Sequence, residues 1–479
     1  MKRICTALSL SSIVLFTSMS MGAGECELKK LPADIDTAYY FGSSVSISGD
    51  TAVIGATGSD VDSFESAGAA YIYVRSGSKW INEVKLVSHP LRANSRFGAS
   101  VAISGDTVVI GDHMASEAQI FVFDGSEWIY ETTLSASTPT DSEFGSSVSI
   151  DGDTVLIGAS GYDLNGVNSV GRVYAYQRTG TNWLLQSVLS PNNPEAGGRF
   201  GEAVDLDGDL AVVGALTNGG PFDVDSGSAY IFVRSGNIWQ QEALLAPEDL
   251  DHGDYFGSSV AIDNGTVVVG AWMHDIPGEI NHSGAAYVFA RRPNVPATWQ
   301  QMDKITSQET TSWAEFGWSV DILDNTILVG AKSNRGLDGG PGSPRPGSAH
   351  VFQKNNDESW SQIGKFYAED GEEDDWFGYS VALGHGSAVV STHYDIQQDP
   401  FIHHAGGAYF YCGDWIEDNN GTDCPGDSTG DNVVNVNDIL AVINVWGNCL
   451  DCAEDVTGDG VINVDDVLLI LSNFGLECP

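Results

Sequence analysis

The stretch Phe41-Gly42-Ser43-Ser44-Val45-Ser46-Ile47-Ser48-Gly49-Asp50-Thr51-Ala52-Val53-Ile54-Gly55-Ala56 decides how this chain is read. Apolar residues alternate at Val45 and Ile47, Ser48-Gly49-Asp50-Thr51 is a tight-turn sequence, and a second apolar run ends in Ile54-Gly55-Ala56. Period-two alternation on both sides of a glycine turn predicts a β-hairpin. The same arrangement returns at Phe97, Phe144, Phe200, Phe256, Phe316 and Phe377, each followed by glycine. Outward from each hairpin comes a third strand, such as Gly68 to Arg75, then a short turn and a fourth strand opened by Trp80. The tryptophan recurs as Trp128, Trp183, Trp239, Trp299, Trp360 and Trp415. Four antiparallel strands in about 50 residues make a propeller blade, so the fold class is mainly β, with a seven-bladed β-propeller over residues 24–415.

A four-stranded meander puts its 1–2 and 3–4 turns on one face and its 2–3 and 4–1 connections on the other. The 2–3 loops are long in every blade but the second, so ligand binding is expected on that loop-rich face. A ring also has to close, or two edge strands stay unpaired. The seventh repeat stops soon after Trp415, and the strand it lacks stands at the other end of the chain, over 26–31. Aligning Leu31 with Leu86 and Tyr409 with Tyr71 puts Cys26 and Cys412 at the positions of Ile81 and Val74, which face each other in the hairpin. A Cys26–Cys412 disulfide is therefore expected. Closing so long a loop is worth on the order of 5 kcal/mol in chain-entropy models.

Composition narrows the function. Of 479 residues, 65 are Asp or Glu and 21 are Lys or Arg, a formal net charge of −44 that excludes nucleic-acid phosphate as a partner. Lys2 and Arg3 precede an apolar, serine-containing run ending at Met21, and Gly22-Ala23-Gly24 follows, as in a secretory signal peptide over residues 1–23. No later segment is apolar for long enough to span a membrane, and a secreted or cell-surface location is expected. Without Cys5, six cysteines remain, and an even number in an exported chain suggests disulfides: Cys26 with Cys412, and Cys424, Cys449, Cys452 and Cys478 in pairs left open, with a zinc site as their rival.

Residues 416–423 read as a linker. Two twelve-residue segments follow, Asp427 to Asp438 and Asp455 to Asp466, each leading into an apolar run with helical character. Calcium loops need oxygen ligands at positions 1, 3 and 5, a carbonyl at 7 and a carboxylate at 12. Asp427, Thr429, Asp431, Val433 and Asp438 fill the first set, and Asp455, Thr457, Asp459, Val461 and Asp466 the second. Two Ca2+ sites are expected over 424–479.

The Phe-Gly pairs, with Gly55-Ala56, Gly158-Ala159, Gly214-Ala215, Gly270-Ala271 and Gly330-Ala331, resemble FG-GAP repeats, the propeller modules of integrin α chains and of many secreted bacterial proteins. Integrin blades bind calcium in an Asp-rich loop between strands one and two, where this chain has only a tight turn. The double calcium loop resembles a type I dockerin, a module that docks to cohesins in cellulosomal proteins. There, loop positions 10 and 11 are often hydroxylic; here they are Val436 and Asn437, then Val464 and Asp465. The resemblances imply a binding or adhesion protein, with a protein or glycan partner on the propeller's loop face and a cohesin-like or cell-envelope partner for the C-terminal module. The competing reading is a polysaccharide-active hydrolase or lyase carrying a dockerin. No spacing among the acids singles out a catalytic pair.

The acids of the loop-rich face (Asp60, Asp62, Glu65, Asp163, Asp223, Asp225, Asp249, Asp251, Asp254, Asp275, Asp338 and Glu372 to Asp375) are read first as solubilising charge. His252, His274 and His282, and His393, His403 and His404, match no metal-ligand spacing. The repeated tryptophans are read as packing residues.

Overall fold

The computed structural model describes residues 28–30, most of 39–412, and two short strands at 447–448 and 461–462. Within 39–412 it leaves out 78, 137–141, 219–224, 276–281, 292–297, 308–311, 335–345, 369, 395–396, 399–400 and 403–404. Seven four-stranded antiparallel sheets stand around an axis. Blade one is Phe41–Ser48, Thr51–Ala56, Ala69–Ser76 and Lys79–Leu86, and the next five repeat that order. Blade seven is Val381–Gly384, Ser387–Thr392, Gly407–Cys412 and, from the far end of the chain, Leu28–Lys30.

The Phe-Gly pair owes its recurrence to a turn. In all seven blades the residue after the glycine donates its backbone N–H to the carbonyl of the residue before the phenylalanine, as from Ser43 to Tyr40 at 3.2 Å and from Tyr379 to Trp376 at 3.1 Å. The glycines at the third corner have φ between 88° and 91°, a conformation that glycine adopts at no steric cost. Each phenylalanine is fully buried and, in most blades, meets the third-strand tyrosine edge-on, as Phe41 meets Tyr71 at 5.5 Å between ring centres.

The second glycine of the repeat explains how blades touch. A Cβ on Gly55 would lie 2.0 Å from the carbonyl oxygen of Gly98 in the next blade, and on Gly214 1.9 Å from that of Gly257. Backbone meets backbone here, with no room for a methyl group. A parallel bridge follows at most junctions, such as Gly68 with Phe97 and Gly347 with Phe377. The junction of blade seven with blade one has the same bridge, Phe41 with Gly406, and Phe41 N–H donates to Ala405 O at 3.0 Å.

Lys30 pairs with Ala408 and Leu28 with Phe410. The N-terminal strand thus closes blade seven, but Lys30, not Leu31, takes the place that Leu86 holds opposite Ala70. The sequence alignment is off by one there. Other fourth strands carry a bulge against the third, between Ile72 and Tyr73 in blade one, and the short ladder of Leu28–Lys30 runs straight. Val74 does pair with Ile81. Cys412 is disulfide-bonded, and its partner lies outside the described residues.

The tryptophans opening the fourth strands pack as expected: Trp80, Trp183, Trp239 and Trp360 are buried, Trp128 and Trp299 half-buried, and Trp415 lies outside the described residues. Trp183 donates to Glu131 of the preceding blade at 2.8 Å, and Trp299 to Glu242 at 3.0 Å, tying outer strands together. The signal segment, the linker 416–423 and nearly all of 424–479, including the first calcium loop, all of the second but Val461 and Ile462, and the four cysteines, lie outside the described residues. Within 424–479, only Val461–Ile462, paired with Gly447–Asn448, are placed. Among the described residues no helix is long and apolar enough to cross a membrane.

Candidate ligand-binding site

The Phe-Gly turn has a second effect. It fixes the residue before Phe and the residue after Gly at the two ends of one tight corner, on the loop-rich side of the axis. Round the ring the first of these reads Tyr40, Arg96, Glu143, Arg199, Tyr255, Glu315 and Trp376, all with positive φ from 51° to 63°. Seven non-glycine residues held in that uncommon region at one repeat position mark a feature of the fold. The second set reads Ser43, Ala99, Ser146, Glu202, Ser258, Trp318 and Tyr379. The residue just past the second strand lies beside them in several blades, as Thr57, His113, Trp272, Lys332 and His393 show.

These side chains divide the axial mouth into two halves. Blades five to seven and the start of blade one carry a band of half-buried rings. Tyr255 stacks on Trp272 at 5.4 Å, Trp272 meets Trp318 at 5.1 Å, and Trp318 leads to Tyr379 at 5.8 Å. Tyr379 stacks on His393 at 4.2 Å, His393 on Tyr40 at 5.0 Å, and Trp376 meets Tyr394 edge-on at 4.2 Å. Lys332 reaches up beneath the band, its Nζ 3.0 Å from the centre of the Trp318 ring and 4.4 Å from that of Trp376. Burial lowers its pKa, and Glu315 at 3.3 Å works the other way, so the cation is held between a carboxylate and ring faces.

The other half is polar. Arg199 donates to Glu143 at 3.0 Å and to Glu202 at 3.0 Å. Burial opposes its charge, but Glu202 and Glu143 outweigh burial and raise the guanidinium pKa. His113 is pushed below its ordinary value by burial and by Arg96. Between the halves is a cavity of about 600 Å³, lined by Tyr40, Arg96, His113, Glu143, Arg199 and Tyr379 among others. That volume lies within the usual range for a small-molecule site, roughly 300–1,000 Å³.

Farther along the axis the first strands enclose a second cavity of about 380 Å³, walled by Asp205, Asp321, Asp207 and Asp263 among apolar neighbours. Asp205 accepts from Ser149 and from Ile262 N–H, and Asp321 from Leu383 N–H, so these acids join neighbouring blades. Burial pushes Asp205 up to about 6 and Asp321 up to about 8.

Several of the loop acids singled out in the sequence are structural. Asp60 accepts from Ser66 N–H and Asp163 from Ser169 N–H, pinning the 2–3 loops, and Asp275 does the same for His282. Asp254 bonds His274 at 2.7 Å, and Lys304 bridges that histidine to Asp249. Asp223, Asp338, His403 and His404 lie outside the described residues. Among the described residues no group of three or more His, Cys, Asp or Glu is placed to hold a metal ion.

Seven segments match the family described as FG-GAP repeat: 27–73, 80–123, 128–176, 183–232, 239–289, 299–352 and 360–411. The chain belongs to the FG-GAP repeat family. Each matched segment begins in a fourth strand and ends in the third strand of the next blade, so the repeat is out of phase with the blade by one strand. That offset is the reason the first repeat contributes Leu28–Lys30 to blade seven. No match is found among curated proteins.

The long 2–3 loops point to the loop-rich face in general and not to this mouth. The signal was available: the residue before each Phe-Gly is bulky in all seven repeats, but its chemistry changes from blade to blade, so it forms no motif.

Proposed function

We propose that the protein is a secreted or cell-surface binding protein whose propeller mouth takes a glycan, and whose C-terminal dockerin-like module attaches it, through calcium, to a further partner. One observation carries the glycan reading: the end of the aromatic band made by Tyr40, His393 and Tyr379 faces a polar wall of Asn94, Arg96, His113, Glu143 and Arg199 across the cavity of about 600 Å³. Flat ring faces suit the C–H faces of sugars, and Arg, Glu, His and Asn side chains at the opposite wall suit their hydroxyls. A protein loop could also seat here, but a shallow apolar wall paired with so many polar groups fits a sugar chain better.

The attachment role rests on the sequence of the two loops, with Asp427, Thr429, Asp431, Val433 and Asp438 as ligands in one and Asp455, Thr457, Asp459, Val461 and Asp466 in the other. Its partner would be a cohesin-like or cell-envelope protein. Were the register of Leu28–Lys30 to run on by two residues, Cys26 would stand opposite Cys412, and that register supports the pair as the ring's covalent lock.

The test is a titration of the full chain with a panel of polysaccharide fragments, followed by tryptophan fluorescence and by chromatography of the sugars. Binding without product, lost in Tyr40→Ala and Tyr379→Ala, is the expected result. Product release would establish the hydrolase or lyase reading instead. Binding untouched by both substitutions would remove the mouth from the account.

A further inference from the structure

Among the residues lining the cavity in the mouth there are two arginines, Arg96 and Arg199, and two carboxylates, Glu143 and Glu202. In a chain with 65 acids and 21 bases that balance is itself unusual. It is also uneven in space. Arg199 binds both carboxylates, with Ser160 Oγ joining Glu143 at 3.0 Å. Arg96 is exposed and has no hydrogen-bonded or ion-paired partner for its guanidinium among the described residues. Its backbone is held at the cavity rim, because the Phe97-Gly98 turn sets φ at 63° and Ala99 N–H donates to its carbonyl at 3.2 Å. The charge acts across the cavity: Tyr379 is raised by burial and by Tyr394, and Arg96 opposes both.

We infer that the mouth selects an acidic glycan, with a uronate carboxylate on the Arg96 guanidinium while the sugar ring lies on the band of Tyr379 and His393. This inference rests on the glycan reading of the mouth. A planar guanidinium offers two parallel N–H donors that match a carboxylate, and a neutral hydroxyl can use only one of them. The surrounding excess of negative charge repels an acidic chain at a distance. At physiological salt the screening length is about 8 Å, so the local cation governs what is held once the ligand arrives.

The experiment is calorimetric titration of the full chain, at physiological ionic strength, with an oligogalacturonate and with its carboxyl-reduced neutral counterpart. The acid should bind about tenfold tighter or better, as expected for a charge-assisted pair. Arg96→Gln should bring the acid-to-neutral ratio close to one. Arg96→Lys, which keeps the charge and loses the fork, should give an intermediate ratio. Thermal melting shows whether each variant is folded. Equal binding of both sugars, or an undiminished preference in Arg96→Gln, overturns the inference and leaves the glycan reading standing. If neither sugar binds, the glycan reading falls with it.

Discussion

Replacing Gly214 by alanine tests whether the blades are held at the distance that the glycine pairs set. The new Cβ would lie 1.9 Å from Gly257 O and 2.9 Å from its carbonyl carbon, where ordinary contact starts at 3.4 Å. Both atoms are backbone, so no side chain can swing away, and the blades must part by about 1.5 Å locally. Overpacking of this kind costs about 1–3 kcal/mol, and a backbone obstacle puts the cost near or above the upper end. Alanine also restricts the unfolded chain, which returns about 0.4–1 kcal/mol. For a unit of roughly 390 residues the unfolding entropy is about 0.8 kcal/mol/K, so a net loss near 3 kcal/mol lowers Tm by about 4 °C. The control is Gly208→Ala, at a turn with φ 56° and nothing within 4 Å, where only the left-handed backbone costs about 1–2 kcal/mol. Differential scanning calorimetry should rank wild type above Gly208→Ala and Gly208→Ala above Gly214→Ala. If Gly214→Ala melts with wild type, the close approach is not what spaces the blades.

Three other outcomes are expected. Asp321 is pushed up to about 8, so the native state holds its proton more tightly than the unfolded chain does; its contribution is full at low pH and is lost as pH rises from about 4 to about 8. Asp321→Asn should therefore flatten the fall of Tm between pH 5 and pH 8 by a few degrees, and an unchanged slope would remove this residue from the pH dependence. A calcium chelator should lower one calorimetric transition, that of residues 424–479, and leave the propeller's in place; ligand at about a hundredfold excess over Kd stabilises by about 2.7 kcal/mol, so the shift is measurable. Peptide mapping without reduction should recover Cys26 joined to Cys412, and recovery of Cys26 as a free thiol would separate ring closure from the disulfide.

The ring was legible because its junctions demand particular residues. Nothing but glycine fits at Gly55 or Gly214, and glycine is favoured at the third corner of the Phe-Gly turn, so these positions repeat visibly through the chain. The missing fourth strand of blade seven could be found in 26–31 for the same reason, although its register slipped by one because a straight ladder replaces the usual bulge. The mouth was not legible. Tyr40, Arg96, Glu143 and Trp376 share one structural position and no chemistry, and Trp272 comes beside Trp318 only when two blades are set next to each other. A sequence repeat reveals what every blade must keep, and the site is made of what each blade changes.

Hydrogen–deuterium exchange of the full chain, with and without a bound oligosaccharide, tests the claim on which the function depends. Ligand should protect the amides around Tyr40 to Ser43, Trp376 to Tyr379 and His393 to Tyr394, and leave the outer strands of the blades unchanged. Protection confined to the outer strands or to residues 424–479, with the mouth exchanging as before, would contradict it.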